Sequence, residues 1–234
     1  MIKKIVLLVS VLLTLAACGG GGGSGSGVVA STLTFPLQQI NINQLVNSSS
    51  APFTVSGTMN GYSVTGTGNL TDGTLSAATF EGNPAQQQIT TITGSITVNG
   101  QTSSLGSSST TYVDSNYLPL GVSDTSEYTV MVTANPIPSS VHVNDTGTLA
   151  TGNRYTNSTK STLLDTLTMT YVIEADTATT ALLSVINKYQ DMNGTITETS
   201  INQYRIGADG TSSRVKSTGS FNTSTTKGNL TYTF

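Results

Sequence analysis

Short turn signals divide most of this 234-residue chain into segments of alternating polarity. Between two of these signals, residues 62–71 place Tyr62, Val64 and Leu70 on one face and only Ser, Thr and Asn on the other. Such alternation is typical of an antiparallel strand with one buried face. Each signal pairs Asn or Asp with Gly, as a type I′ hairpin turn requires because both of its central residues have positive φ: Asn60-Gly61, Asp72-Gly73, Asn99-Gly100, Asn193-Gly194 and Asp209-Gly210.

The same alternation recurs along the chain and predicts an all-β fold. Thr is present 42 times, together with Val, Ile and Tyr, and these residues favour strands. We therefore predict an antiparallel meander or sandwich, or a partly open barrel. The apolar faces of the further strands comprise Phe53, Val55 and Met59; Ile92, Ile96 and Val98; Tyr128, Val130 and Val132; Leu167, Met169, Tyr171 and Ile173; Tyr204 and Ile206; and Leu230, Tyr232 and Phe234.

Two segments leave the organisation of these strands open. Residues 178–190 fit helical spacing, but we favour a strand because a turn and a partner strand follow at once. Residues 101–111 are rich in Ser and Thr and indicate a linker or long loop. We therefore expect two β modules, 33–108 and 109–234, with one continuous sandwich as the alternative.

The first 17 residues are predicted to be a signal peptide. Lys3 and Lys4 precede an apolar run of 11 residues, which is too short for a membrane-spanning helix of about 20 residues. The run ends in Leu15-Ala16-Ala17-Cys18, which resembles the lipobox of bacterial lipoproteins. The resemblance implies cleavage before Cys18 and acylation of this residue, so that residues 1–17 are removed. The alternative is an ordinary secretory signal.

The residues after Cys18 indicate how the mature protein is held. Residues 18–32 are predicted to be the lipidated cysteine and a tether, because residues 19–27 are all Gly or Ser and would span roughly 17 Å as a random coil. Poly-Gly at this place resembles the tethers of surface-exposed Gram-negative lipoproteins of the transferrin-binding and factor-H-binding types. Gly19 replaces the Asp of the inner-membrane retention signal, which implies an outer-membrane location facing either the surface or the periplasm.

The C-terminal strand has a second interpretation. Leu230, Tyr232 and Phe234 alternate and end on an aromatic residue, which resembles the closing strand of outer-membrane β-barrels. A spanning barrel would need apolar lipid-facing residues and aromatic girdles. Most of the predicted strands instead set an apolar face against Thr and Ser, which favours a sheet whose outer face contacts water.

Charge and cysteine content exclude several classes of protein. The chain has 9 Lys and Arg against 12 Asp and Glu, so it lacks the basic footprint of a nucleic-acid-binding protein. The single cysteine, Cys18, excludes an internal disulfide framework and a cysteine-based zinc cluster. Nothing in the sequence indicates a cofactor.

The candidates for catalysis are weak. The one histidine, His142, lies where a predicted strand runs into a turn beside Asp145, which is more typical of a surface residue than of a general base. Ser-x-x-Lys occurs at residues 213–216 and 224–227, but both copies fall in predicted strand or turn, where the two side chains point to opposite faces. We therefore expect a protein that is not an enzyme.

The acidic residues give two further weak signals. Glu174 and Asp176 share a strand face, but the chain has no Trp to stack a sugar in a glycosidase cleft. Asp191-Met192-Asn193-Gly194 begins like an EF-hand calcium loop, yet the position of its bidentate Glu is Asn202. Strand ends and a hairpin turn explain these residues, so we predict no metal site, with a weak calcium site shared with Asp209 as the alternative.

Together these observations predict a lipid-anchored envelope protein with a non-catalytic β domain for binding, adhesion or structural support. The membrane partner is engaged through acylated Cys18, and a protein or glycan partner is unidentified. Self-association through sheet edges is also expected, because Thr-rich strands with little charge protect edges poorly. If a ligand face exists, the Tyr-bearing strands in 166–206 would carry it.

The alternative is a periplasm-facing carrier of a hydrophobic ligand or lipid, with a hydrolase as a more distant third. A carrier predicts an apolar cavity lined by residues such as Leu167, Met169, Tyr171 and Val185, whereas a structural domain predicts a filled core.

Overall fold

One helix and thirteen strands make up the described part of the chain. The computed structural model describes residues 28–234, so the predicted signal peptide, Cys18 and the Gly/Ser run 19–27 lie outside the described residues. The prediction of an all-β antiparallel fold is confirmed. The elements are α1 (Leu37–Val46), β1 (Ser49–Met59), β2 (Tyr62–Asp72), β3 (Ser76–Phe80), β4 (Asn83–Val98), β5 (Gln101–Val113), β6 (Pro119–Ser123), β7 (Tyr128–Ala134), β8 (Thr146–Tyr155), β9 (Leu163–Ala175), β10 (Thr180–Gln190), β11 (Ile196–Gly207), β12 (Ser212–Asn222) and β13 (Lys227–Thr233).

Twelve of the strands form a closed barrel. The sheet order is β2-β1-β13-β12-β11-β10-β9-β8-β7-β6-β5-β4-β3, and a further pairing of β2 with β4 closes the ring and leaves β3 outside it. This closure replaces the predicted sandwich or partly open barrel. It is possible because β4, with 16 residues, pairs along one edge with β5 and along the other with β2 and then β3.

The predicted linker at residues 101–111 is wrong, because these residues form most of strand β5. This strand pairs with β4 over its whole length and with β6 at its end. The boundary expected near residue 108 therefore falls inside a strand of the barrel. Residues 180–190 form strand β10, so the preference for a strand over a helix in this segment is confirmed.

Four of the five turn signals join paired strands, and two of these four have the predicted type I′ geometry. Asn60-Gly61 and Asn99-Gly100 have positive φ at both residues and form the predicted type I′ turns. Asn193-Gly194 and Asp209-Gly210 also join paired strands, but only the glycine has positive φ in these longer turns.

Asp72-Gly73 is not a hairpin turn. Asp72 ends β2, and the Gly73 N–H donates to the carbonyl of Ile89, so that the chain continues alongside β4 as β3. The hairpin that follows turns at Glu81-Gly82, where φ is 50° and 78°. This turn was not predicted because Glu occupies a position where Asn or Asp is usual.

Two apolar clusters fill the barrel toward its two ends. The α1-end cluster includes residues from α1 and from β9–β11, and the opposite-end cluster comes from β1, β2, β4, β5, β12 and β13. The α1-end cluster is Phe35, Leu37, Ile40, Val141, Tyr171, Ile173, Ala181, Leu183 and Ile206. The opposite-end cluster is Phe53, Val55, Met59, Val64, Leu70, Ile96, Leu105, Phe221, Leu230 and Tyr232.

The outer face of the barrel is polar at the positions where the sequence predicts a strand face of Ser and Thr. Outward positions of β1, such as Thr54, Ser56 and Thr58, are exposed, and Thr65 and Thr67 of β2 are exposed beside them. Among residues 28–234, no helix has the length and apolar character needed to cross a membrane.

Strand β7 reverses the expected polarity. Thr129 and Met131 face the interior, whereas Tyr128 and Val130 lie on the outer face and Val132 is 65 % exposed. The tip of the β3–β4 hairpin covers part of this outer face. It packs there against Tyr128, which was predicted to lie on an inward apolar face.

Phe80 at the hairpin tip makes these contacts. Its ring stacks on Tyr112, with centroids 4.5 Å apart, and on Tyr128 at 5.5 Å. Glu81 accepts hydrogen bonds from the Tyr128 hydroxyl and from Lys160. A Cβ on Gly121 would lie 2.3 Å from the Phe80 ring, so glycine is required there for the hairpin to pack.

The helix α1 was not predicted from the sequence. Its buried side chains, Leu37, Ile40 and Leu45, follow a helical period, but the local order Ile-Asn-Ile-Asn over residues 40–43 also alternates as in a strand. The helix contacts the turns at one end of the barrel, which we call the α1 end: Asn43 donates to the carbonyl of Gly210 in the β11–β12 turn.

Candidate functional site

A cavity of about 410 Å³ lies inside the barrel between the two apolar clusters. Leu70 of the opposite-end cluster lines it, and so do Val185 and Tyr204, which pack against the α1-end cluster. The end of α1 also lines it, through Asn41 and Gln44. We call this space the central cavity.

One wall of the central cavity is apolar and was anticipated for a carrier. Leu167 and Met169 of β9 and Val185 of β10 line it, as predicted. Tyr171, the fourth predicted residue, belongs instead to the α1-end cluster and is 6 % exposed. The tyrosines of strands β9–β11 therefore point into the barrel rather than toward an outside partner.

The barrel interior holds a buried arginine among three carboxylates, which we call the Arg154 network. Arg154 on β8 is 5 % exposed. Its Nε and Nη2 donate to the two carboxylate oxygens of Asp165, at 2.8 and 2.5 Å. Its Nη1 donates to Oε2 of Glu198 at 2.7 Å and to Oε2 of Glu127 at 3.0 Å. The network thus places one positive charge among three carboxylates.

Burial and charge shift the pKa values in this network. Burial raises the pKa of Glu127, and the attraction of Arg154 offsets this only in part. Burial works to lower the pKa of Arg154, but the surrounding carboxylates of Glu198, Asp165 and Glu127 raise it overall. Burial also raises the pKa of Tyr189, whose ring lies against the guanidinium. Arg154 therefore stays charged, and Glu127 is the carboxyl that takes up a proton more readily than usual.

A second buried pair, Asp72 with Arg214, lies at the cavity wall near α1. Nη2 of Arg214 donates to Asp72 at 2.8 Å, and its Nη1 donates to the Tyr204 hydroxyl at 3.0 Å. Asp72 also accepts hydrogen bonds from Ser49 and Thr90. Burial works to raise the pKa of Asp72, but Arg214 and these hydrogen bonds together hold it below its usual value.

Gln88 joins the barrel to the C-terminal end of α1. It is 7 % exposed, and its Nε2 lies within 3.1 Å of the carbonyl oxygens of Gln44, Leu45 and Gly73. The last carbonyls of a helix have no partner within the helix, so this side chain supplies donors to groups that would otherwise be buried without one.

The weak catalytic candidates lie apart from the central cavity. His142 is exposed in the β7–β8 connection, where its Nε2 is 3.1 Å from the Thr34 hydroxyl and its Nδ1 is 3.8 Å from Asp145. The serine and lysine of both Ser-x-x-Lys segments, 213–216 and 224–227, are exposed on β12 and at the β12–β13 turn.

The acidic candidates have separate structural partners. Glu174 accepts hydrogen bonds from Ser184 and Gln203, and Asp176 forms an ion pair with Arg205. Asp191 accepts the backbone N–H groups of its own turn, at 2.9 Å each. Within residues 28–234, no group of three or more His, Cys, Asp or Glu is placed to hold a metal ion.

The Arg154 network was not predicted from the sequence, although a signal for it is present. Asp165 has the same parity as Leu167 and Met169, so it shares the inward face of β9 with apolar residues. Glu198 likewise shares the inward face of β11 with Ile206. A charge on the apolar face of a strand predicts a buried partner of opposite charge.

No family model, curated protein or solved structure matches this chain.

Proposed function

We propose that this protein is a lipid-anchored envelope protein whose barrel binds a small molecule in the central cavity. The cavity is the observation that supports this proposal, because its volume of about 410 Å³ falls in the range of about 300–1,000 Å³ usual for small-molecule sites. Its wall combines an apolar surface from Leu167, Met169 and Val185 with hydrogen-bonding groups from Asn187, Ser200 and Asn202. The proposed role is non-catalytic.

The width of the barrel supports binding over a purely structural role. Side chains just fill a barrel of about 8 strands, whereas wider barrels leave room inside for a ligand or a channel. This barrel has twelve strands, and its two apolar clusters leave a space between them. A domain serving only as support would be expected to fill that space with side chains.

A neutral hydrophobic dye, N-phenyl-1-naphthylamine, tests whether the cavity binds ligands. The full chain is placed in phosphatidylcholine nanodiscs, and the signal of empty nanodiscs is subtracted. Saturable binding is expected for the wild type and is expected to be lost in Val185→Phe, which fills the cavity. Val132→Phe makes the same change at an exposed outward position and is expected to bind like the wild type.

Two results would contradict the proposal. The first is no saturable binding by the wild type above empty nanodiscs. The second is equal binding by the wild type and Val185→Phe when circular dichroism shows that both are folded, because the dye would then lie outside the cavity.

The proposed location is the outer membrane, with acylated Cys18 as the anchor and residues 19–27 as the tether. This part of the proposal is supported by the lipobox-like sequence and by Gly19. Protease accessibility of a C-terminal tag on intact and permeabilised cells tests which way the barrel faces. Cleavage on intact cells would indicate the surface and would contradict a carrier confined to the periplasm, and Cys18→Ser is expected to release the protein from membranes.

A further inference from the structure

The charged groups at the wall of the central cavity are unequal in sign. Arg214 is the one basic residue among its lining residues in 28–234, whereas four acidic residues line it, namely Asp72, Asp124, Glu127 and Glu198. Arg154 and Asp165 of the Arg154 network add one charge of each sign behind this wall. The wall therefore carries a net negative charge when its carboxyls are ionised.

Both arginines near the cavity are already committed to internal partners. All three nitrogens of the Arg154 guanidinium donate to carboxylates, and one face of it is covered by the Tyr189 ring. Both terminal nitrogens of Arg214 are engaged, one by Asp72 and one by the Tyr204 hydroxyl. An anionic ligand group entering the cavity would therefore meet guanidinium charges that Asp72 and the carboxylates of the Arg154 network already offset, and taking Arg214 away from Asp72 would leave that carboxylate buried without its cation.

A cation entering the cavity meets the opposite situation. The Arg154 network holds three carboxylates against one guanidinium, and the side chain of Glu127 is 23 % exposed at the cavity wall. A positive group beside Glu127 would bring the local charges closer to balance in a region where Coulomb interactions are weakly screened. The apolar wall formed by Leu167, Met169 and Val185 would contact the rest of such a ligand.

We propose that the central cavity selects small molecules that join a protonated amine to an apolar body and that it rejects anionic ones. The amine would lie beside Glu127, and the apolar body would pack on β9 and β10. This inference rests on the proposed binding function and adds the chemical class of the ligand. It excludes fatty acids and other carboxylate amphiphiles as preferred ligands.

Three probes of one shape and different charge test this inference. They are cyclohexylmethylammonium, cyclohexylmethanol and cyclohexanecarboxylate, titrated by calorimetry at pH 7 into the full chain in phosphatidylcholine nanodiscs. The ammonium probe is expected to bind at least about tenfold more tightly than the carboxylate, with the alcohol between them, which corresponds to about 1.4 kcal/mol per tenfold step.

Glu127→Gln keeps the size of the side chain and removes its charge. We expect it to reduce the preference for the ammonium probe over the alcohol by about fivefold or more, as for a partly desolvated charge pair. Glu81→Gln is the matched control, since Glu81 lies in the β3–β4 turn outside the barrel. It is expected to keep the wild-type preference.

The outcomes separate this inference from the binding function itself. Equal or tighter binding of the carboxylate probe to the wild type would overturn the charge preference, and this measurement needs no variant to fold. If the naphthylamine dye still binds and Val185→Phe still abolishes that binding, the cavity remains a binding site whose ligand class was inferred wrongly. If neither the dye nor any of the three probes binds, the binding function is also wrong.

Discussion

Arg154 and Tyr189 pack against each other inside the barrel, with the guanidinium carbon 3.9 Å from the centroid of the ring. The ring covers one face of the guanidinium, and carboxylates from three different strands or turns hold its edge. Such stacking with carboxylate pairing depends on the planar guanidinium, which lysine lacks. The pair therefore ties β8 and β10 to the network across the intervening strand β9.

Replacing Arg154 with Met is expected to lower the free energy of unfolding by about 3–5 kcal/mol, because three carboxylates lose their common partner. Without Arg154, the burial of Glu127 is no longer offset, so the pKa of Glu127 in the folded variant exceeds its unfolded value. The stability of the variant therefore rises as the pH falls toward that value. Urea unfolding at pH 8 and pH 5 is expected to show that the variant falls less far below the wild type in free energy of unfolding at pH 5 than at pH 8.

Arg205→Met is the control for this change. Arg205 pairs with Asp176, but its side chain is 49 % exposed, and such pairs contribute less than about 1 kcal/mol. An equally small loss in Arg154→Met would show that the buried network contributes little to stability.

The Asp72–Arg214 pair is expected to make stability fall in acid. The pKa of Asp72 lies below its ordinary value of 3.8, so the unfolded chain binds this proton first as the pH decreases. The stabilisation is complete above the unfolded pKa and is lost as the pH falls through the lower folded pKa. Urea unfolding between pH 5 and pH 3 is expected to show that the free energy of unfolding decreases less steeply with falling pH in Asp72→Asn than in the wild type.

A double variant checks the physical cause of this decline. Asp72→Asn leaves Arg214 without its carboxylate, and Arg214→Met leaves Asp72 without its cation. Each single variant is therefore expected to lose more than half of the free energy of unfolding that the double variant loses. Strict additivity of the two losses would argue against a direct interaction.

Gly121→Ala is expected to destabilise the protein by about 1–3 kcal/mol, as overpacking usually does. The added methyl group would lie 2.3 Å from both the Phe80 ring and the Thr129 carbonyl oxygen, so the β3–β4 hairpin would have to shift. Gly106→Ala is the matched change on β5, where a Cβ would meet nothing within 4 Å. Urea unfolding of the two variants gives the comparison, and equal stability would mean that the hairpin tip does not pack tightly on the barrel.

Gln88→Ala is expected to loosen α1 while leaving the barrel intact. The change removes the donor to three carbonyl oxygens, of which that of Leu45 is in a buried contact, and a buried group left unsatisfied costs about 1–3 kcal/mol. Hydrogen exchange is expected to accelerate at the amides of α1 and to stay unchanged in β10 and β11. Gln87→Ala, on the opposite face of the same strand, is expected to leave both unchanged.

Much of the strand pattern followed from local sequence, because a two-residue hairpin and an alternating strand are both specified by near neighbours. Asn60-Gly61 and Asn99-Gly100 were predictable because few residues other than Asn, Asp and Gly adopt positive φ readily. Strand β5 was mistaken for a linker because Ser- and Thr-rich segments occur both in loops and on the outer faces of sheets.

Closure of the barrel had no local signal. It depends on the pairing of β2 with β4, in which Val64 lies opposite Val98 and Asp72 opposite Thr90, and on β3 leaving the ring at Gly73. The same closure bears on the predicted self-association, because a closed ring has no free edges. Among the described strands, β3 is the one that pairs with a single neighbour, β4, and association through its other edge stays a prediction.

The chain enters the barrel at the α1 end, and this has a mechanical consequence. Val29 bridges to Asp176 after β9, and Phe35 bridges to Val141 before the helix begins. With Cys18 anchored in a membrane as proposed, any pull on the barrel would pass through these two short bridges before it reached α1 and Gln88. The pull would first load the segments after β9 and between β7 and β8 that hold these bridges, and α1 would follow as the next element along the chain, ahead of the β1–β2 turn at the far end.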